Sequence, residues 1–311
     1  MNRVLITGGS GFVGSHTIEP FLARGYEVHI VCSTADPKAA KVRSAVSRHA
    51  VDLHNLGETR ALLERVKPSH LLHLAWFVKP GALVSSPDNL DWISASNSIL
   101  RVFKLCGGRR FVGVGSCYEY NLEYGYCDEE LTPLRPSTLY GASKNAFREV
   151  AEVFSKGNEL EFAWARLFFL YGPNENPLRL VPAVVNSLLH GQEAKTSHGR
   201  QIRDYMHVQD AADGLVALVD SSEQGAFNIA SGRPVEVRHV VKVLADELEK
   251  SDLLRIGALP TRADDVRFIV ASTRKAEERL AFEPRLDLRA GLRHTLDWWR
   301  AKLDKSEKGI I

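Results

Sequence analysis

The opening stretch Val4–Gly14 constrains the fold more than any other part of the chain. Val4-Leu5-Ile6 is a short apolar run of the kind that forms a buried strand. Thr7-Gly8-Gly9-Ser10-Gly11-Phe12-Val13-Gly14 follows, and a helical stretch, Ser15 to Arg24, comes next. Gly9, Gly11 and Gly14 fit a G-x-G-x-x-G spacing, while Gly8, Gly11 and Gly14 fit G-x-x-G-x-x-G. Either spacing permits a tight turn and lets a pyrophosphate approach a helix N-terminus, where free N–H groups and the dipole favour anions. Between a strand and a helix, the motif predicts dinucleotide binding. The plainer alternative is a tight turn and nothing more.

Glu27–Val31 reads as a second strand, Val51-Asp52-Leu53 as the end of a third, His70–Ala75 as a fourth and Arg110–Ser116 as a fifth. Helices are expected near residues 12–24, 55–66 and 88–106. Alternating βα units of this length predict an α/β protein built on a Rossmann-type, doubly wound parallel sheet. In NAD-binding units an acid about 20 residues past the glycine turn often grips the ribose 2′-hydroxyl. Here that place holds Cys32-Ser33-Thr34, with Lys38, Lys41 and Arg43 downstream. A carboxylate there would repel a 2′-phosphate, so its absence favours NADP(H) over NAD(H); Asp36 is the one nearby acid that argues the other way. Asp52 could accept from an adenine amino group and the Leu53 backbone could serve the ring, although a strand-end Asp is also a common helix cap.

With 311 residues the chain suits one large domain or two coupled ones. A net charge of +2 gives no bulk field to recruit nucleic acid or an anionic membrane. No apolar run approaches the roughly 18 residues of a membrane span. A strand beginning so near Met1 leaves no room for a signal peptide, so the cytoplasm is the expected compartment. The four cysteines, Cys32, Cys106, Cys117 and Cys127, show no Cys-x-x-Cys spacing and read as reduced bystanders. No metal is expected, because no ligand cluster has suitable spacing.

In open α/β sheets, ligands gather beyond the carboxyl ends of the strands. Ser116 ends the fifth strand and can donate a hydrogen bond to a carbonyl oxygen there. A helix from about Ser137 brings Tyr140 and Lys144 to the same rim, four residues apart and so on one helix face. A cation beside a phenol favours the phenolate and lowers its pKa from about 10, so that proton exchange comes nearer neutral pH. Taken alone, the pair also fits a solvated i,i+4 surface contact.

The chain resembles the extended short-chain dehydrogenases/reductases that act on nucleotide sugars, the NAD-dependent epimerase/dehydratase family. Besides the glycine turn, the resemblance rests on His73-Leu74-Ala75, on Gly115–Tyr120, on Pro136–Lys144 and on Arg166–Pro173. Arg203–Asp210, Phe227–Ala230 and Arg262–Asp265 complete it. It implies that Tyr140 is the general acid/base, that Lys144 binds the nicotinamide ribose and lowers the Tyr140 pKa, and that Ser116 hydrogen-bonds the reacting oxygen. It implies cofactor contacts at Gly8, Gly11, Phe12, Val13, Gly14, Ser33, Thr34, Asp52, Leu53, Leu74 and Ala75, besides Tyr140 and Lys144. It places Arg203 and Arg262 at a nucleotide-sugar diphosphate, which suits the bidentate guanidinium fork. Trp76, Tyr118 and Phe169 would shape the sugar pocket. Residues 1–171, returning near 205–231, would form the dinucleotide-binding domain, and 172–204 with 232–311 a smaller C-terminal substrate-binding domain. A homodimer through the Tyr140 helix and the helix before it is the default.

Sugar-nucleotide 4,6-dehydratases carry an Asp-Glu pair directly after the residue matching Ser116; here Cys117 and Tyr118 stand there, with Glu119 one place further on. Dehydration is therefore not expected. Phe169 stands where epimerases and dehydratases often have Asn. Together with the missing acid after the second strand, this predicts a reductase of a 4-keto sugar nucleotide, with an NDP-sugar 4-epimerase as the alternative. A non-catalytic NADP sensor is the alternative from another class. Asp210 is expected to cap a helix from Ala211 to Val219, His207 to be a satisfied strand-end histidine, and Leu288–Arg300 to be an amphipathic helix whose Trp298 and Trp299 pack.

Overall fold

The computed structural model describes residues 2–32, 45–261 and 265–307. Ser33, Thr34 and Arg262, together with Asp36, Lys38, Lys41 and Arg43, lie outside the described residues.

The chain opens with β1 (Arg3–Thr7), α1 (Phe12–Ala23), β2 (Glu27–Cys32), β3 (Ser47–Ala50), α2 (Leu56–Val66), β4 (His70–His73), α3 (Asp88–Leu105) and β5 (Arg110–Ser116). It continues through β6 (Tyr126–Cys127), α4 (Leu139–Gly157), β7 (Glu161–Leu167), β8 (Phe169–Tyr171), α5 (Leu180–Leu189), β9 (Ala194–Thr196) and β10 (Ile202–His207). The remainder is α6 (Val208–Asp220), β11 (Gly225–Ile229), β12 (Pro234–Glu236), α7 (Val237–Glu247), β13 (Leu254–Ile256), β14 (Phe268–Ala271), α8 (Arg274–Leu280) and α9 (Leu288–Glu307).

Seven strands form one sheet in the order β11-β7-β5-β4-β1-β2-β3, and every pairing within it is parallel. A parallel sheet covered on both faces needs strands that are apolar on both sides. In β1, Val4 and Ile6 enter the cluster that includes Ile18 and Phe21 of α1 and Leu215 of α6. Leu5, pointing the other way, enters the cluster that includes Leu62 and Leu63 of α2, Ile99 and Phe103 of α3 and Phe147 of α4. The period-2 alternation of the strand thus divides its residues between two helical layers.

A second sheet, β12-β10-β14-β6 with β8 beside β10, lies off this one. β6, although it follows β5 in the chain, pairs with the distant β14. α5, α7 and α9 share a further core with Leu188, Leu244, Leu292, Leu296 and Trp299, and Trp298 packs against it. β10 leads straight into α6, which lies on α1, and β11 then joins the seven-stranded sheet beside β7.

One local expectation is corrected here. α6 starts at Val208, and its N-cap is His207, whose Nδ1 accepts from the Gln209 N–H. Asp210 sits inside the first turn, and its carboxylate instead accepts from the backbone N–H groups of Arg285 and Leu286. Among the described residues no helix is long and apolar enough to cross a membrane.

Candidate active site

The glycine turn is shaped by contacts that leave no room for side chains. Gly8 has φ +70, the left-handed region that glycine tolerates best. A Cβ on Gly14 would come within 2.3 Å of the Gly8 carbonyl oxygen, and one on Gly9 within 2.5 Å of the Ile30 side chain. Gly11 is the N-cap of α1 and offers no side chain to the first turn, nor does that turn contain an acid. Its orphan N–H groups, those of Phe12 and Val13 among them, are therefore open to an anion. The turn and the uncapped helix fit a dinucleotide pyrophosphate. Alongside, β4 is fixed by Thr7, whose Oγ1 accepts from the Ala75 N–H at 3.2 Å and meets His73 Nδ1 at 2.7 Å. Leu74 N–H donates to the Thr7 carbonyl. Asp52 is exposed and accepts from the His54 N–H; the N-cap of α2 is Asn55, not Asp52. Leu53 is buried.

Ser116 ends β5 and starts a single 3₁₀ turn, Cys117–Glu119. Its N–H donates to Glu119 Oε1 at 2.8 Å, while its Oγ accepts from the Tyr118 N–H at 3.3 Å. α4 begins with Thr138 as N-cap, which accepts from the Gly141 N–H. Gly141 is what lets the helix close on the 3₁₀ turn: a Cβ there would lie 2.0 Å from the Tyr118 carbonyl oxygen. That approach delivers Tyr140 to Ser116. Burial raises the Tyr140 phenol above its ordinary value, and a hydrogen bond with Ser116 pulls in the opposite direction.

Lys144, one turn along α4, is 3% exposed. Its Nζ donates to the Val114 carbonyl at 2.7 Å and lies 3.8 Å from the centroid of the Trp76 indole. Burial pulls the ammonium down to about 7. The expected effect of Lys144 on Tyr140 is therefore not the governing one: the cation is directed at a carbonyl and a ring, and burial sets the phenol high.

Glu119 is wholly buried and forms the floor of this site. Besides the Ser116 N–H, it accepts from Trp164 Nε1 and, at 2.8 Å, from Arg166 Nε. Arg166 Nη1 donates to the Tyr120 hydroxyl, which donates to Asn228. Gly115 makes room for this network, since a Cβ would meet both Glu119 and Trp164 within 2.2 Å. A carboxylate so fully engaged is not an acid or base for chemistry at Ser116. Cys117 is buried, and its thiol is pushed up by burial. Glu119 and Arg166 both stand within the quoted motifs, yet no spacing there signals their partnership.

Among the residues expected to meet substrate, Arg203 is nearly buried and bonds Asp265 and the Ile202 carbonyl. Its guanidinium lies 5.3 Å from the Phe169 ring, and Phe169 meets Tyr205 at 6.0 Å. Tyr118 stands in the same neighbourhood, within reach of the charges of Arg203, Arg179 and Asp265, and its ring meets Tyr140 edge-on at 6.1 Å. Trp76 is almost buried beneath Lys144. Glu175, which the motifs did not single out, is 8% exposed; its Oε2 is buried with no hydrogen-bond partner among the described residues, and burial raises its carboxyl to about 8. Among the described residues no group of three His, Cys, Asp or Glu stands together to hold a metal ion.

Comparison with known proteins agrees with this geometry. A family model, the NAD dependent epimerase/dehydratase family, matches residues 4–230. The chain is 26% identical over 320 residues to the UDP-glucose 4-epimerase of Rhizobium meliloti (strain 1021), covering 96% of this chain and 97% of that one. It is also similar to the UDP-glucose 4-epimerase of Thermus thermophilus in complex with NAD, with a TM-score of 0.87 and 27% identity over 96% of this chain and 99% of that one. A third likeness is to MoeE5 in complex with UDP-glucuronic acid and NAD, with a TM-score of 0.83 and 26% identity over 97% of this chain and all of the other. With its parallel sheet, its uncapped glycine turn and Ser116, Tyr140 and Lys144 at one rim, the chain belongs to the NAD-dependent epimerase/dehydratase family and is an enzyme of the extended short-chain dehydrogenase/reductase type.

Proposed function

We propose that this enzyme is a UDP-sugar 4-epimerase that works with a retained NAD. The observation that carries the reading is the convergence of Ser116 and Tyr140, brought about by the close approach of α4 to the turn after β5. Bound NAD would supply the hydride acceptor and donor that inversion at C4 requires. Tyr140 would take the proton of the sugar 4-hydroxyl and give it back to the same oxygen. Ser116 donates to the C4 oxygen throughout. Lys144 would hold the nicotinamide ribose, its ammonium reaching the rim through the Val114 carbonyl and the Trp76 ring.

Phe12, Val13 and the glycines Gly8, Gly11 and Gly14 would hold the pyrophosphate, with Asp52, Leu53, Leu74 and Ala75 along the adenosine side. Arg203 would meet the sugar-nucleotide diphosphate on exchanging its bond to Asp265 for it, with Tyr118 and Phe169 against the sugar. Residues 172–204 and 232–311 form the substrate half in this proposal. A homodimer through α3 and α4 belongs to it as well, and exposed Leu105, Val150 and Val153 lie on those helices; light scattering of the purified protein reads it directly.

The choice of NAD departs from the sequence expectation of NADP. That expectation leaned on Ser33 and Thr34, which lie outside the described residues, whereas two similar structures carry NAD. The choice of epimerase likewise replaces the expected 4-keto reductase, because most of the similar curated proteins, that of Rhizobium meliloti among them, carry the 4-epimerase name. One observation keeps the reductase as a second reading: Phe169, packed on Arg203 and Tyr205, offers the sugar no amide.

A single experiment separates the two. The purified enzyme is denatured, the released nucleotide is identified by mass spectrometry, and the native enzyme is given UDP-glucose with no added cofactor. Release of NAD and formation of UDP-galactose are expected. A cofactor-free protein that consumes NADPH on a 4-keto sugar nucleotide, and leaves UDP-glucose untouched, overturns the reading.

A further inference from the structure

Trp76 and Lys144 make a contact that none of these roles uses. The lysine ammonium stands 3.8 Å from the centroid of the indole, and both side chains are almost wholly buried. The ring is locked. Its Nε1 donates to Asn89 Oδ1 at 2.8 Å, and the fully buried Asn89 is itself fixed by bonds to the Leu83 and Ser86 carbonyls. Trp92 stacks beside it at 6.2 Å.

A buried ammonium needs compensation. The titratable groups that bear on Lys144 are His73 of β4, Glu119 after β5 and Tyr140 of its own helix. His73 is bonded to Thr7 and Ser96, and burial holds its ring down at about 3, so it stays neutral. Glu119 is matched by Arg166. Burial raises the Tyr140 phenol, and its hydrogen bond with Ser116 opposes that rise. Among the described residues, what directly meets the ammonium is the Val114 carbonyl and the electron-rich face of Trp76.

We propose that Trp76 is a positioning residue of the catalytic machinery: its π face holds the Lys144 side chain at the rim and stabilises the ammonium form. The family resemblance puts Trp76 in the sugar pocket; here it acts on the substrate only through Lys144. The inference rests on the reading of Lys144 as a catalytic lysine. Because burial sets Lys144 near neutrality, a modest change in what the ring supplies moves the charged fraction across the working pH range.

The test reads Lys144 directly. Protein labelled with ¹³Cε-lysine is titrated by NMR, and the Lys144 resonance is assigned by its loss in Lys144→Arg. Fluorinated tryptophans are incorporated in place of tryptophan. They withdraw electron density from the ring face with almost no change in shape, so folding is preserved. The Lys144 midpoint is expected to fall stepwise with the number of fluorines in the unmutated chain, and to ignore fluorination in Trp76→Phe. Comparing Trp76→Phe with Trp76→Leu isolates the π face from bulk, and the leucine variant is expected to titrate roughly one pH unit lower. The basic limb of the pH–rate profile should move down by the same amount, a shift that a merely structural role would not produce. A Lys144 midpoint indifferent to fluorination, or one that shifts equally in Trp76→Phe, overturns the proposal. A protein inactive on every nucleotide sugar overturns the functional reading, yet the fluorine series still decides this one.

Discussion

At the glycine turn, position is set by atoms that are missing: a Cβ on Gly14 would stand 2.3 Å from the Gly8 carbonyl oxygen. At Arg203, position is set by a charge from far along the chain, the carboxylate of Asp265, 62 residues on. The proposed cofactor side is thus built from local backbone requirements, and the proposed substrate side from long-range pairs of charged side chains. The residues proposed as catalytic lie where the two meet. Tyr140 is placed by a backbone approach at Gly141, whereas Ser116 is held from below by Glu119, whose partner Arg166 stands 47 residues away. Local requirements leave a spacing in the sequence, and distant pairs do not.

The sharpest way to break this comparison is at the junction. Tyr140→Phe should lower turnover by about 10²–10⁴-fold, the usual worth of a positioned acid–base group. Retention of NAD should hardly change, because no backbone requirement is touched. Steady-state kinetics beside cofactor release read both, and an active variant would remove Tyr140 from the mechanism.

Glu119→Leu comes next. It strands Arg166 as a buried, unpaired cation, which costs about 3–5 kcal/mol. Chemical denaturation should record that loss, and Ser116 should lose its support with it. A variant as stable as the parent would mean that the buried pair contributes nothing beyond an apolar filling.

Gly14→Ala tests the local side. A β-carbon has no room unless the turn shifts, and overpacking of this kind costs about 1–3 kcal/mol. NAD retention should fall together with the unfolding midpoint, in contrast to Tyr140→Phe.

The smallest effect is expected at Glu175 and lies in the shape of a curve. Its folded-state carboxyl is raised from 4.5 to about 8. A carboxyl raised on folding binds more protons in the folded chain than in the unfolded one between those values, so its contribution to stability is lost as pH rises from about 4.5 to 8. Glu175→Gln should flatten that fall in a series of thermal unfolding measurements. An unchanged slope would show that the carboxyl finds its charge balance elsewhere.

The same division explains what could be read from residues alone. The strand–glycine–helix order, the parallel sheet and the placement of Tyr140 and Lys144 one turn apart on a helix follow from spacing, and the structure has them. The cap of α6 is misleading in sequence because aspartate near a helix start is a strong local signal, yet the Asp210 carboxylate is taken by the backbone at Arg285 and Leu286. Glu119 with Arg166, Arg203 with Asp265 and the lone carboxyl of Glu175 have no local signature. Their meaning depends on which strands become neighbours. Lys144 over Trp76 is of the same kind, joining the segment after β4 to α4, whose lysine reaches across the neighbouring β5 at Val114.

The run from Ile202 to Asp220 is one unbroken strand and helix, with His207 as the joint between them. Arg203 rides near its first end, and its helical part lies along α1, whose own first turn is the proposed anion cradle. Mechanically this is a lever with one load on each arm. On the proposed reading, no loop separates the arginine that would meet the diphosphate from the helix that packs on the cradle. The two ligand sites would then share one continuous element of the chain.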